Sequence, residues 1–188
     1  MSKTVVLVDM DMTLNHMEKT FEEYIKKYYP FHLEPVRRED MIVYDMLKWF
    51  RPKIPSVMHK ELMARVFGTR GFWEAIPIQE HAAEVMEDIV RKFDVYIVTS
   101  PWLDYKDCYK EKRNWVEYHM PFFDAADIIP TKHKHLINGD VLIDDAPHYL
   151  DEFPNEKIVF DQPYNRETKS DHRVTDWLEV REILWKEY

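Results

Sequence analysis

Five short runs of aliphatic residues punctuate the chain, each closed by a polar or acidic residue. They are TVVLVD at 4–9, VYIVTS at 95–100, DII at 127–129, VLIDD at 141–145 and KIVFD at 157–161. The first, second and fourth are near-continuous rather than alternating, which is the pattern of strands buried on both faces of a parallel sheet. Between the runs the apolar period lengthens. Residues 79–92 combine a polar face with apolar Ala83, Val85, Met86, Ile89 and Val90, and 106–119 and 174–187 are further helical candidates. Strands alternating with helices predict a doubly wound, Rossmann-like parallel α/β sheet.

The interval from 16 to 75 breaks this alternation. It is rich in aromatic, methionine and basic residues and reads mainly as helix, in MEKTFEEYIKKYY and later HKELMARVF, with Pro30, Pro35, Pro52 and Pro55 as punctuation. The expected organisation is a core domain from 1–15 and 76–188 with a small helical cap, 16–75, inserted after the first strand. With three glycines in the whole chain, no glycine-rich dinucleotide or Walker-type loop is available.

Composition narrows the partners. A hydrophobic fraction of 45% and an aromatic fraction of 14% over 188 residues supply a well-filled core. The net charge of −9 disfavours polymeric nucleic acid and anionic membranes as partners. A small anionic substrate remains compatible, because a bound cation or a local basic group reverses the field inside a cleft. Cys108 is the single cysteine, so no intrachain disulfide can form. Neither a signal-peptide pattern nor a run of about 20 apolar residues is present, and a cytoplasmic location is expected.

The polar strand ends carry the chemistry. In an open parallel sheet, ligands bind beyond the carboxyl ends of the strands, near the point where strand order reverses. Asp9 and Asp11 follow the first run, Thr99 and Ser100 close the second, and Asp144 and Asp145 close the fourth. Carboxylates converging from two strands repel one another, and a hard divalent cation such as Mg²⁺ resolves the conflict. Thr99 and Ser100 offer hydroxyls and backbone N–H groups to an anion, helped by a helix expected to start just after them. Lys132 or Lys134, in PTKHKHLINGD at 130–140, would complete a phosphate site. Singly, each of these residues reads as an ordinary turn, cap or surface group; their order along one sheet is what points to chemistry. His133, His135 and His148 read as solvated loop histidines and receive no ligand role.

This order of motifs resembles the phosphatase branch of the haloacid dehalogenase superfamily. The match takes Asp9-Met10-Asp11-Met12-Thr13 as the first motif, Thr99-Ser100 as the second, Lys134 as the third and Asp144-Asp145 as the fourth. GFWEAIPI at 71–78, TSPWLDYKDCYKEKRNWVEYHM at 99–120 and GDVLIDDAPHYL at 139–150 are similar, more narrowly, to the 5′(3′)-deoxyribonucleotidase family. The resemblance implies a Mg²⁺-dependent phosphomonoesterase acting on deoxyribonucleoside monophosphates. Asp9 would be the nucleophile and Asp11 the general acid–base, with Thr13 shaping their loop. Asp9, Asp11 (through its carbonyl), Asp144 and Asp145 would form the metal set, and Thr99, Ser100 and Lys134 would bind phosphate. The cap would select the substrate, with Phe72 and Trp73 at the nucleobase pocket, while Arg37 and Arg38 match a basic pair in the relatives. Met12 stands where many relatives have glycine, so its loop must either avoid positive φ or hold Met12 in strain. FDQPYN at 160–165 is expected to serve packing and a strand-to-loop junction rather than catalysis, with Asn165 and Arg166 as candidates for contacts near the cleft. Oligomeric state is left open, a homodimer included.

Two other readings compete. One keeps the chemistry and changes the substrate to a sugar phosphate or phosphoserine. The other is a phosphoacceptor binding module, in which the acidic pair falls early and the phosphorylated aspartate ends a later strand. Here DxDxT comes first and IDD late, and that model leaves the cap without a purpose.

Overall fold

The computed structural model describes residues 3–28 and 33–188. Pro30 and Tyr29, the end of the first expected helix, lie outside the described residues. The five expected strands are all present: β1 (Val5–Val8), β4 (Asp94–Thr99), β5 (Ile128–Pro130), β6 (Val141–Asp144) and β7 (Glu156–Phe160). A sixth, β8 (His172–Val174), completes a fully parallel sheet in the order β5-β4-β1-β6-β7-β8. β8 gives no hydrophobic run because His172 and Arg173 leave Val174 as its single apolar and buried residue.

Both faces of the sheet are covered, which accounts for the unbroken apolar runs. Val6, Val8, Ile97, Val141 and Ile143 point to the larger core, together with residues of α3 (Ala82–Lys92), α4 (Cys108–His119) and α6 (Trp177–Glu187). Leu7, Val98, Leu142 and Val159 point the other way, onto Leu150 of α5 (Pro147–Glu152) and Phe153. Helix starts depart from the sequence expectation where capping decides them. His81 takes φ 62°, so α3 begins at Ala82. Asp176 accepts from the Glu179 amide at 3.0 Å and starts α6 at Trp177. Pro147 occupies the first turn of α5, where its missing N–H costs nothing, in a stretch that reads as a turn.

The interval between β1 and α3 holds α1 (Met17–Tyr28), α2 (Ser56–Phe67) and an antiparallel pair, β2 (Glu34–Pro35) with β3 (Phe50–Arg51). α1 presents Phe21 and Ile25 inward, and Phe21 packs on Phe50 and Phe67. These rings belong to the same continuous hydrophobic cluster as the larger face of the sheet. The order of the sheet reverses between β1 and β6, so the chain that leaves their carboxyl ends passes the crevice where ligands bind in such sheets.

Candidate functional site

Asp9 follows β1 directly, and its amide donates to the Ile143 carbonyl at 2.8 Å, which extends the β1–β6 ladder by one residue. Asp144 ends β6 and Asp145 follows it, so sheet register alone brings these carboxylates together. One carboxylate oxygen from each of Asp9, Asp144 and Asp145 lies within 4.8 Å of the others, and all three residues are buried. Lys134 is fully buried beside them, its Nζ at 2.5 Å from Asp9 Oδ1 and 2.6 Å from Asp144 Oδ2. The other oxygen of Asp144 accepts from the Ala146 amide at 2.9 Å. Asp145 Oδ1 accepts from the Thr13 hydroxyl at 3.3 Å and Oδ2 from the Tyr164 hydroxyl at 2.5 Å.

One ammonium does not neutralise this group. Burial raises the Asp9 pKa to about 7, and the charges of Asp144 and Asp11 add to it against the opposing pull of Lys134. Asp145 is pushed well above the carboxylate range, first by burial and then by Asp144 and Asp9. Burial alone would lower the Lys134 pKa, but Asp144 and Asp9 hold it above the ordinary lysine value. Three hard oxygen donors left with excess negative charge in a buried pocket fit a divalent cation.

The Asp11 carboxylate lies outside that trio. It is hydrogen-bonded by Asn15 Nδ2 at 3.2 Å and paired with the Nζ of Lys112. Lys112 is fully buried on α4, donates to the Thr99 hydroxyl at 2.8 Å and the Ser100 carbonyl at 3.2 Å, and lies 4.7 Å from the centre of the Trp73 ring. Sequence reasoning missed it because KEKR at 110–113 looks like a solvated charge run. A signal existed: Cys108, Trp115 and Val116 mark an apolar face whose helical spacing includes Glu111 and Lys112. Glu111 is turned inward too, accepting from the Gly71 and Trp73 amides at 2.8 and 3.3 Å and from the Tyr105 hydroxyl at 2.7 Å. It thereby fixes the turn that presents Trp73.

Met12 takes φ 63°, so the loop holds a non-glycine residue in the left-handed region. Its carbonyl accepts from Gln79 Nε2 at 3.1 Å and Gln162 Nε2 at 3.3 Å, which braces that conformation.

Asp9 and Asp11 open onto a cavity of about 400 Å³, whose lining does not include Lys134, Asp144, Asp145 or Lys112. Asp9, Asp11 and Ser100 line its floor, while Met17, Met46, Met63, Phe67, Trp73 and Trp102 make an apolar wall, with Tyr44, Lys132 and His148 also on its surface. Trp73, one of the two expected pocket residues, lines this cavity. Phe72 does not: its ring is fully buried against Tyr24, Phe67 and Trp73 and takes no part in the cavity lining. The helix expected just after Ser100 is also displaced. α4 begins at Cys108, and the loop before it carries Trp102 to the wall, so Thr99 and Ser100 do not cap a helix. Arg37 pairs with Glu39 and Asp40 on the surface, whereas Arg38 reaches Gln162 Oε1 at 3.1 Å. His133 and His135 meet edge-on at 5.9 Å between ring centres, and neither joins Asp9, Asp144 and Asp145 as a potential ligand.

Known proteins are similar to this chain along nearly its whole length. The family model for 5′-nucleotidase, deoxy (pyrimidine), cytosolic type C protein matches residues 3–187. A 5′(3′)-deoxyribonucleotidase of Clostridium acetobutylicum is 27% identical over 183 residues, covering 97% of this chain and 96% of its own. One from Bacillus subtilis is also 27% identical over 183 residues, covering 97% and 99%. Among solved structures, a haloacid dehalogenase-like hydrolase from Streptococcus pneumoniae superposes with a TM-score of 0.66 at 14% identity, over 97% of this chain and 98% of that one. A HAD-hydrolase from Bacillus subtilis, bound to magnesium, gives 0.60 at 15% identity, over 98% and 99%. At such identities the two structures speak for the fold.

Proposed function

We infer that this chain, which belongs to the cytosolic type C family of deoxy (pyrimidine) 5′-nucleotidases and is a phosphoric monoester hydrolase of the haloacid dehalogenase superfamily, removes phosphate from deoxyribonucleoside monophosphates with Mg²⁺. The observation that carries this reading is Asp9. It is a buried carboxylate at a strand end, held on one oxygen by Lys134, facing a cavity whose far wall is apolar and aromatic.

In the first step a carboxylate oxygen of Asp9 attacks phosphorus in line and the bond to the leaving sugar oxygen breaks, with Asp11 delivering a proton to that oxygen. In the second, Asp11 takes a proton from water, the water oxygen attacks phosphorus, and phosphate leaves with the Asp9 carboxylate restored. Lys134 and the Ser100 hydroxyl meet the equatorial oxygens, where charge gathers in a loose phosphoryl-transfer transition state. Asp9, Asp144, Asp145 and the Asp11 carbonyl would hold Mg²⁺, with Asp144 also anchoring Lys134. When bound, the cation supplies neutralising charge for the carboxylates and the phosphate. Lys112 keeps Asp11 beside Thr99 and so orients the carboxylate that handles the proton. The apolar wall of methionines and aromatic rings suits a flat nucleobase, whose insertion excludes water from the floor.

The test is phosphate release from a panel of 5′- and 3′-deoxyribonucleotides, ribonucleotides, sugar phosphates and phosphoserine, with Mg²⁺ or EDTA, beside Asp9→Asn. Turnover led by deoxyribonucleotides, lost in EDTA and in Asp9→Asn, is the expected result. Turnover led by a sugar phosphate would reassign the cavity. Activity surviving Asp9→Asn would remove the nucleophile.

A further inference from the structure

The FDQPYN stretch reads as packing, yet it delivers a side chain to the acidic trio. Tyr164 lies in a single 3₁₀ turn, Pro163–Asn165, between β7 and β8. Its hydroxyl donates to Asp145 Oδ2 at 2.5 Å. Its ring is stacked on Trp49 at 5.6 Å between centroids and 9° between planes, and meets Tyr44 edge-on at 5.2 Å. Trp49 and Tyr44 both come from the segment inserted after β1. Trp49 is itself oriented, because its Nε1–H donates to the Val43 carbonyl at 2.8 Å. Tyr44 lines the cavity and rests edge-on against His148 of α5.

The turn that carries Tyr164 is anchored from behind. Asn165 Nδ2 donates to the Asp145 carbonyl at 2.8 Å and the Phe160 carbonyl at 2.9 Å, while Arg173 holds the Asn165 side-chain oxygen at 2.9 Å and its carbonyl at 3.0 Å. Asp145 is thus gripped at its backbone by Asn165 and at its two carboxylate oxygens by Thr13 and Tyr164. Such outer hydrogen bonds fix the orientation of a ligating carboxylate, and a small hard cation is intolerant of misplaced oxygens.

We propose that Tyr164 is a positioning residue that sets the Asp145 carboxylate for the divalent cation and ties it, through the Trp49 stack, to the inserted segment, so that cation affinity depends on the packing of a segment that supplies no ligand. The proposal rests on the reading of the acidic trio as a cation site. Linkage makes the dependence reciprocal: whatever Trp49 contributes to cation binding, the cation returns to the seating of the inserted segment.

The test is titration calorimetry of Mg²⁺ into the full-length, chelator-treated protein at pH 8. Wild type, Tyr164→Phe, Trp49→Leu and the double variant are compared, with thermal melting in EDTA to confirm that each is folded. Tyr164→Phe keeps the ring stack and removes only the hydroxyl. It is expected to weaken Mg²⁺ about tenfold or more, in the range seen when a residue behind a metal ligand is changed. Trp49→Leu is expected to weaken it several-fold, and adding it to Tyr164→Phe is expected to change nothing further, because the link to Asp145 is already cut. If Trp49→Leu does not melt cooperatively, Trp49→Phe takes its place.

Affinity of Tyr164→Phe within twofold of wild type would overturn the positioning role. Losses that multiply in the double variant would overturn the coupling. Wild type that binds no more Mg²⁺ than Asp145→Asn would overturn the cation reading itself, and the proposal with it. That outcome is distinct from a wild type that binds while Tyr164→Phe binds equally well.

Discussion

At the scale of single residues, the site sets two buried lysines against two aspartates that must behave differently. Lys134 bridges Asp9 and Asp144, whereas Lys112 pairs with Asp11 and also grips the Thr99 hydroxyl. Lys112→Met keeps the apolar stem of the side chain but removes the ammonium that lies over Trp73 and pairs with Asp11, leaving Asp11 without its orienting partner. The expected outcome is a fall in kcat/KM of about a hundredfold, the scale of a misplaced general acid–base. Steady-state kinetics on the preferred deoxyribonucleotide checks it, and a loss under threefold would make the pair structural only. The lysines also mark how much of the site the sequence disclosed. Asp9, Asp144, Asp145, Thr99 and Ser100 were legible because a short apolar run in a parallel sheet determines where its last residues go. Lys112 and Tyr164 reach the same place from a helix face and a loop turn, whose approach depends on tertiary docking that no local pattern encodes.

Among secondary elements, legibility followed the apolar run. β1, β4 and β6 are central and their runs are continuous, so they were found within a residue or two; of the two edge strands, β5 was found through Ile128 and Ile129, whereas β8, with Val174 as its single apolar residue, was not. Helix starts moved wherever a single cap or backbone geometry decided them, as at His81 and Asp176. The loop entering β6 shows how tightly the central strands meet. A Cβ on Gly139 would lie 2.6 Å from Leu7 Cγ, and Leu7 is fully buried in β1 against the smaller face of the sheet. Gly139→Ala should therefore force a shift between β1 and β6, the two strands that carry Asp9 and Asp144. A loss of about 1–3 kcal/mol is expected, as for other overpacked cores. Urea denaturation followed by circular dichroism would measure it; an unchanged midpoint would show that Leu7 gives way freely.

Across the whole molecule, the acidic trio ties stability to protons and, on the proposed reading, to a divalent cation. The Asp9 pKa is raised to about 7 in the folded chain and Asp145 is raised well above its ordinary value, so the native state holds protons that the unfolded chain has released. Stability from these groups is consequently present at acid pH and is lost as pH rises from the unfolded carboxylate range, near 4, through about 7. A divalent cation needs the same oxygens ionised, so it competes with those protons and binds better as pH rises. The difference between melting temperatures in Mg²⁺ and in EDTA should then be small at pH 5.5 and grow through pH 7 to pH 8.5. Saturation at a hundred times the dissociation constant stabilises by about 2.7 kcal/mol, which for a chain of this length is about 5–10 °C. Taking the difference cancels the titration of every carboxylate remote from the site. Thermal melts across that pH range, repeated with Asp145→Asn, make the check. A Mg²⁺ shift equal at all pH values, or one that survives in Asp145→Asn, would place the cation somewhere other than among Asp9, Asp144 and Asp145.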